Sequence, residues 1–297
     1  MEKTPKRLLP NADALSQVGN ARELRCLETL VWAGLLSTGQ IERLFFPSRR
    51  RAQRRLRALF DHGLVRAHLQ TSALHLENVY TPTPLALDLL EDHVGFEDGR
   101  PRLARFPRPQ RLAHALAVRE VFVALLVAEK AGVLRLLDFR FEEELAAEPV
   151  FRGARIVPDA VAELAVGDDV STVGVEVDLG TETTAALRAK LDAWRALLAR
   201  RGAPVETLLL VAATPRRART LTRLATEAHL PPSARVVLSA ELGVLFGAGW
   251  PRPVAAAPGR AERRPGPAQR PATTPIFKPR GAAFQVLDLG LARPAHD

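Results

Sequence analysis

The stretch GVEVDLGTET, residues 174–183, constrains the chain more than any other. Val173, Val175, Val177 and Leu179 alternate with Thr172, Gly174, Glu176 and Asp178, the period-2 signature of a β-strand. Glu176 and Asp178 then share one face and repel each other, so something must answer their charge. The preceding segment ARIVPDAVAEL ends close to a turn sequence, VGDD, and predicts an antiparallel partner. With strands at 155–164 and 171–179 turning at 167–168, Asp159 lies opposite Glu176. Directly opposed Cβ atoms are about 5 Å apart. Asp178 is one step along the same face, so three carboxylates are expected to converge. Such a group calls for a cation or a shift in protonation, and Mg²⁺ or Mn²⁺ is the expected occupant of an oxygen-only cluster. The plain alternative is an acidic face open to water.

Other side chains bear on that site. Residues 110–130 form a helix that is apolar nearly all round and is expected to be buried. Glu120 sits in it beside Leu116, Val123 and Ala124, where a carboxylate needs a partner or a metal. His114, among Ala117, Val118 and Val121, is expected to be a packed histidine rather than a ligand. After Asp178, the helix TTAALRAKLDAWRALLARR carries Lys190 within the stripe Leu187, Leu191, Trp194 and Leu198. Lys190 either reaches out to the rim or serves the carboxylates.

The first third has a different character. Helices are expected at 21–33, at 37–46 after a Ser37 or Thr38 cap, and at 49–62 after Ser48, the last closed by Gly63. Two β segments, LVRAHLQ and ENVYTPT, follow. Three helices and a hairpin is the order of a winged helix-turn-helix, in which the third helix enters the DNA major groove. That helix carries Arg49, Arg50, Arg51, Arg54, Arg55 and Arg57 around a stripe of Ala52, Leu56, Leu59 and Phe60. Arginines in a first turn oppose the helix dipole, a conflict that neighbouring phosphates relieve, so double-stranded DNA is the expected partner. A solvated arginine face is the bland alternative.

Charge is divided along the chain. Residues 1–70 contain 13 Lys/Arg against 6 Asp/Glu, residues 141–182 contain 2 against 11, and residues 183–223 contain 9 against 2. Cys26 is the single cysteine, which excludes an internal disulfide or a cysteine zinc site. No leader pattern opens the chain and the apolar run VFVALLVA is too short to span a bilayer, so a cytoplasmic location without membrane attachment is expected. The expected divisions are an arm at 1–19, a winged helix at 20–95, a second domain at 105–245 and a disordered basic tail at 251–297. A homodimer or a protein partner, through the second domain or the tail, is the other expected association.

Pro158-Asp159, the hairpin and Glu176, set in an αβββαβ order, resemble the P-D-(D/E)-x-K nuclease superfamily. With the winged helix in front, the chain is similar to the replication-relaxation family of bacterial plasmids and mobile elements. IVPDA and EVDLGTE carry most of that likeness, which covers roughly residues 20 to 240. The resemblance implies an α/β (α+β) chain with a restriction-endonuclease-like second domain. It also implies that Asp159, Glu176 and Asp178 bind Mg²⁺ or Mn²⁺, with Glu120 and Lys190 completing a catalytic set. Asp178 stands where the superfamily has its lysine, and Lys190 could supply that amine from the next helix. Two functions follow from the resemblance: a metal-dependent nuclease or nickase, or a non-catalytic replication or transcription regulator whose second domain makes contacts.

Overall fold

The computed structural model describes residues 21–68, 77–93, 95–96, 101, 103–151 and 155–247. The arm at 1–19 and the tail at 251–297 lie outside the described residues. The fold is mixed α and β, with two sheets.

The first part begins with α1 (Ala21–Ala33), β1 (Leu36–Ser37), α2 (Thr38–Phe45) and α3 (Arg49–Asp61). It continues with β2 (Val65–His68), β3 (Val79–Pro82) and α4 (Pro84–His93). The strands form an antiparallel sheet in the order β1-β3-β2. Strand β1 was not expected: two residues cannot display a period. Ser37 caps α2 through a capping box with Gln40, which settles the choice between Ser37 and Thr38. Ser48 stands at the N-cap of α3 without a side-chain bond. Gly63, at φ +75, supplies the left-handed residue after α3 that a side chain would resist.

The second part runs α5 (Pro109–Lys130), β4 (Arg135–Phe141), α6 (Glu142–Leu145), β5 (Ala160–Val166) and β6 (Asp169–Asp178). Then come α7 (Thr184–Leu198), β7 (Thr207–Ala212), α8 (Pro215–Glu227), β8 (Arg235–Leu238) and α9 (Leu242–Gly247). The sheet order is β4-β5-β6-β7-β8, with β4, β5 and β6 antiparallel and β6, β7 and β8 parallel. Ala160 pairs with Val175 and Val166 with Asp169, the register that the hairpin spacing predicts. The β5 ladder opens at Ala160 rather than at residue 155, two residues beyond Pro158, which has no N–H to give.

The side-chain alternation of β6 divides the core. Val173, Val175 and Val177 pack with α5 and α9 on one face. On the other, Leu208 and Leu210 of β7 pack with Leu187, Leu191 and Trp194 of α7 and Leu221 and Leu224 of α8. The first of these cores runs without a break into the N-terminal helices. Trp32 of α1 meets Phe122 of α5 edge-on at 4.8 Å and donates from Nε1 to the Phe139 carbonyl at 3.1 Å. Arg119 of α5 donates to the Ala33 carbonyl at 3.0 Å and lies over the Phe141 ring. The Pro/Arg-rich connector is no gap either, because Phe106 stacks on His68 with centroids 3.8 Å apart.

Cys26 is fully buried in this core, and burial, with the Glu23 charge behind it, pushes its thiol up to about 12. Only a thiolate attacks a disulfide reagent, so the native protein is expected to resist Ellman's reagent at pH 8 and to react once denatured. Immediate stoichiometric labelling of the native chain would show that α1 is not packed in this way.

Candidate functional site

The face of β6 turned to α7 and α8 carries Gly174, Glu176 and Asp178 in succession. Glu176 is 4% exposed, Asp178 is 5% exposed, and each meets its own partners. Lys190 of α7 places Nζ 2.6 Å from Glu176 Oε1 and 2.6 Å from Glu182 Oε1. Trp194, one helical turn on, donates from Nε1 to Glu176 Oε2 at 3.1 Å. Lys190 is therefore drawn to the carboxylates. The spacing from Thr183, which caps α7 through Ala186 N–H, brings it there: Leu187, Leu191 and Trp194 hold one face of the helix on the sheet with Lys190 beside them.

Asp178 is held by Arg217 of α8, whose Nε and Nη2 both reach the carboxylate, with Nη2 at 3.1 Å from Oδ1. The same Nη2 donates to the Glu182 carbonyl at 2.8 Å, and Gly180 N–H donates to Asp178 Oδ1 at 2.8 Å. A two-pronged guanidinium on a buried carboxylate is a strong, directional clamp. Arg217 was not singled out in the sequence; the only trace of it there is the run PRRAR, in which neighbouring arginines look alike.

Asp159 does not enter the ladder. Its Oδ2 accepts from Val177 N–H at 2.7 Å and lies 3.2 Å from His114 Nε2 of α5. His114 Nε2 is also 3.2 Å from the Val177 carbonyl, and both neighbours are acceptors, so this nitrogen carries the hydrogen. His114 is thus a bonded partner of the candidate site rather than a histidine packed among apolar groups alone.

The three carboxylates expected to converge are divided among His114, Lys190 and Arg217. Among the described residues, no group of three or more His, Cys, Asp or Glu side chains is placed to hold a metal ion. Glu120 lies apart from them, taking Arg43 at 2.5 Å and Gln40 at 3.2 Å, both on α2. Six residues separate it from His114, which is about 9 Å along the axis and two-thirds of a turn round the helix. The expected protonation shift is present. Burial pushes the Glu176 carboxyl up, Asp159 adds to this, and Lys190 pulls the other way.

Hydrogen bonding to Asp159 raises the His114 imidazole above its ordinary value, against the effect of burial. A raised value means that the native state holds the proton more tightly than the unfolded state does. The stabilisation is complete below about pH 6.5 and is lost as pH rises through the native value. His114→Gln is expected to flatten the fall in melting temperature above that pH; an unchanged profile would show that the pair contributes nothing.

The six arginines of α3 also separate. Arg49 binds Glu77 at 2.6 Å, Arg55 binds the buried Glu23, and Arg57 binds Asp61 at 2.9 Å. Arg50, Arg51 and Arg54 are exposed, and no hydrogen bond or ion pair engages them among the described residues. No described helix is long and apolar enough to cross a membrane.

The model of the replication-relaxation family matches residues 27–207, more than half of the chain. No curated protein and no solved structure matches it.

Proposed function

The chain belongs to the replication-relaxation family, and from that premise we propose that it binds plasmid or mobile-element DNA through a winged helix-turn-helix at its N-terminus. In this reading α3 is the recognition helix and β2 and β3 are the wing. The observation that carries it is the exposed trio Arg50, Arg51 and Arg54, without partners among the described residues and on a helix whose first turn has no acid. Such a face gains most from phosphate, and binding there releases counterions.

Arg50→Ala/Arg54→Ala is expected to weaken binding to duplex DNA and to flatten the dependence of log K on log salt by about two, close to one for each phosphate that is no longer neutralised. An unchanged slope would remove α3 from the interface.

The second sheet, in the same proposal, is a P-D-(D/E)-x-K-like fold used for contacts with DNA or protein rather than for cleavage. The support is the occupation of its acids: Asp178 by Arg217, Asp159 by His114 and a backbone N–H, Glu176 by Lys190 and Trp194. As arranged, these donors do not fit a divalent ion, and no step is routed through one. One observation favours the second reading, a Mg²⁺- or Mn²⁺-dependent nickase: the Lys190 ammonium lies against Glu176, where the superfamily's amine acts. Supercoiled plasmid incubated with either metal separates the two. The circle is expected to stay intact; nicking that disappears in both Glu176→Ala and Lys190→Ala would establish the nuclease.

A further inference from the structure

The second basic segment, residues 183–223, has a distribution that the site does not absorb. Of the arginines on α8, Arg217 turns inward to Asp178. Arg216, Arg219 and Arg223 recur at i, i+3 and i+7 and so form one stripe. That stripe is exposed and lies opposite Leu221 and Leu224, which seal the helix onto the sheet. The side chains of Arg216 and Arg219 have no hydrogen-bond or ion-pair partner among the described residues. At the far end Arg223 shares Glu227 with Arg188 of α7, two cations on one carboxylate.

Two features say what this surface is for. Arginine in a first turn opposes the helix dipole, and α8, like α3, carries no acid there to compensate. An anion from outside would relieve both conflicts. The acids beside the stripe already have partners. Asp178 is taken by Arg217, Glu182 by Lys190, and Glu227 by Arg188 and Arg223. They leave Arg216 and Arg219 unanswered, whereas a nucleic-acid backbone presents a charge every ~3.4 Å along each strand. The stripe is about 10 Å long at 1.5 Å per residue, enough to cover two or three phosphates.

We propose that the outer face of α8, from Arg216 to Arg223 with Arg188 beside it, is a second DNA-backbone contact, separate from α3. It rests on the reading of the chain as a DNA-binding protein, but not on α3 being the element that binds. The contact is sequence-independent, because arginines on phosphates fix orientation and carry no base information. It would hold DNA across the second sheet beside the Glu176 site.

The test compares the full chain with Arg216→Gln/Arg219→Gln and Arg50→Gln/Arg54→Gln, measuring anisotropy of a fluorescein-labelled duplex over a salt series. Both substituted arginines of α8 are exposed, so the fold is expected to survive, and an unchanged melting curve checks this. The α8 variant is expected to bind more weakly at low salt, with a slope shallower by about two. The weakening should match on unrelated duplex sequences. Weaker binding by the α8 variant but not by the α3 variant would sustain this contact while removing the proposed role of α3. Weaker binding by the α3 variant alone, or a change in self-association in place of DNA affinity, would overturn it.

Discussion

Gly174→Ala is expected to be among the most damaging single substitutions in the second sheet. A Cβ built at Gly174 meets Trp194 Cη2 at 2.5 Å and Cζ3 at 2.8 Å. Neither side can give way easily. Gly174 is laddered to Val161 on one side and Leu208 on the other, and the Trp194 ring is fully buried and tied through Nε1 to Glu176. Overpacking of a filled core typically costs about 1–3 kcal/mol, and this clash belongs at the upper end. For a chain of this size that is a fall in melting temperature of roughly 6–12 °C. Gly174→Ala/Trp194→Phe should recover part of the stability, since the smaller ring leaves room for the methyl group. The two changes touch each other and should be strongly non-additive. A Gly174→Ala protein as stable as the wild type would mean that the indole does not lie over this strand.

This pair also explains the stretch GVE. A glycine inside a strand is normally unfavourable, and here it marks the close approach of another group. The indole enters the space above Gly174 and delivers its N–H to the carboxylate two residues along the same face.

The legibility of the chain divides along the range of the interactions. Hairpin pairing of Ala160 with Val175 follows from a period of two and the position of one turn, both local, and the register was predictable from them. Most of the order of helices and strands was legible for the same reason, down to Gly63 behind α3, but the short elements β1, α6 and α9 were not. What depends on parallel crossovers was not. Arg217 reaches Asp178 from 39 residues away, across β7, and no spacing in the sequence distinguishes it from Arg216 or Arg219. His114 looked like a core residue because its neighbours on the helix are apolar, while its partners, Asp159 and Val177, come from elsewhere in the chain. Glu120 was set beside the wrong partners: its apolar surroundings showed correctly that it needed one, but not that α2 would supply Arg43. The connector before α5 shows the same limit, since its Pro/Arg composition signals a boundary while Phe106 binds it to His68.

Lys190→Met is expected to destabilise the protein in a strongly pH-dependent way, and the direction follows from Glu176. Lys190 is the cation closest to that carboxylate, and methionine keeps much of its length and apolar stem while removing the charge. Breaking a buried ion pair by removing one partner costs about 3–5 kcal/mol, because the other charge is left uncompensated. Glu176 has an escape, which is to keep its proton. Burial already pushes its carboxyl up against the pull of Lys190, and without the lysine it rises further. A raised native value stabilises fully below the unfolded carboxylate value, about 4.3, and that contribution fades as pH rises through the native one. The wild-type carboxyl already stands at about 8, so the variant should keep a constant distance from the wild type up to about pH 7 and fall progressively behind it from pH 8 towards pH 9.5. Lys190→Met/Glu176→Gln should close most of the gap that opens by pH 9.5, since the amide bears no charge and still accepts the Trp194 N–H. Glu182 is deprived of the same ammonium but is far more exposed, so the remainder of the gap should be small. Equal destabilisation at about pH 7 and pH 9.5 would show that the lysine acts by packing alone and that Glu176 does not depend on its charge.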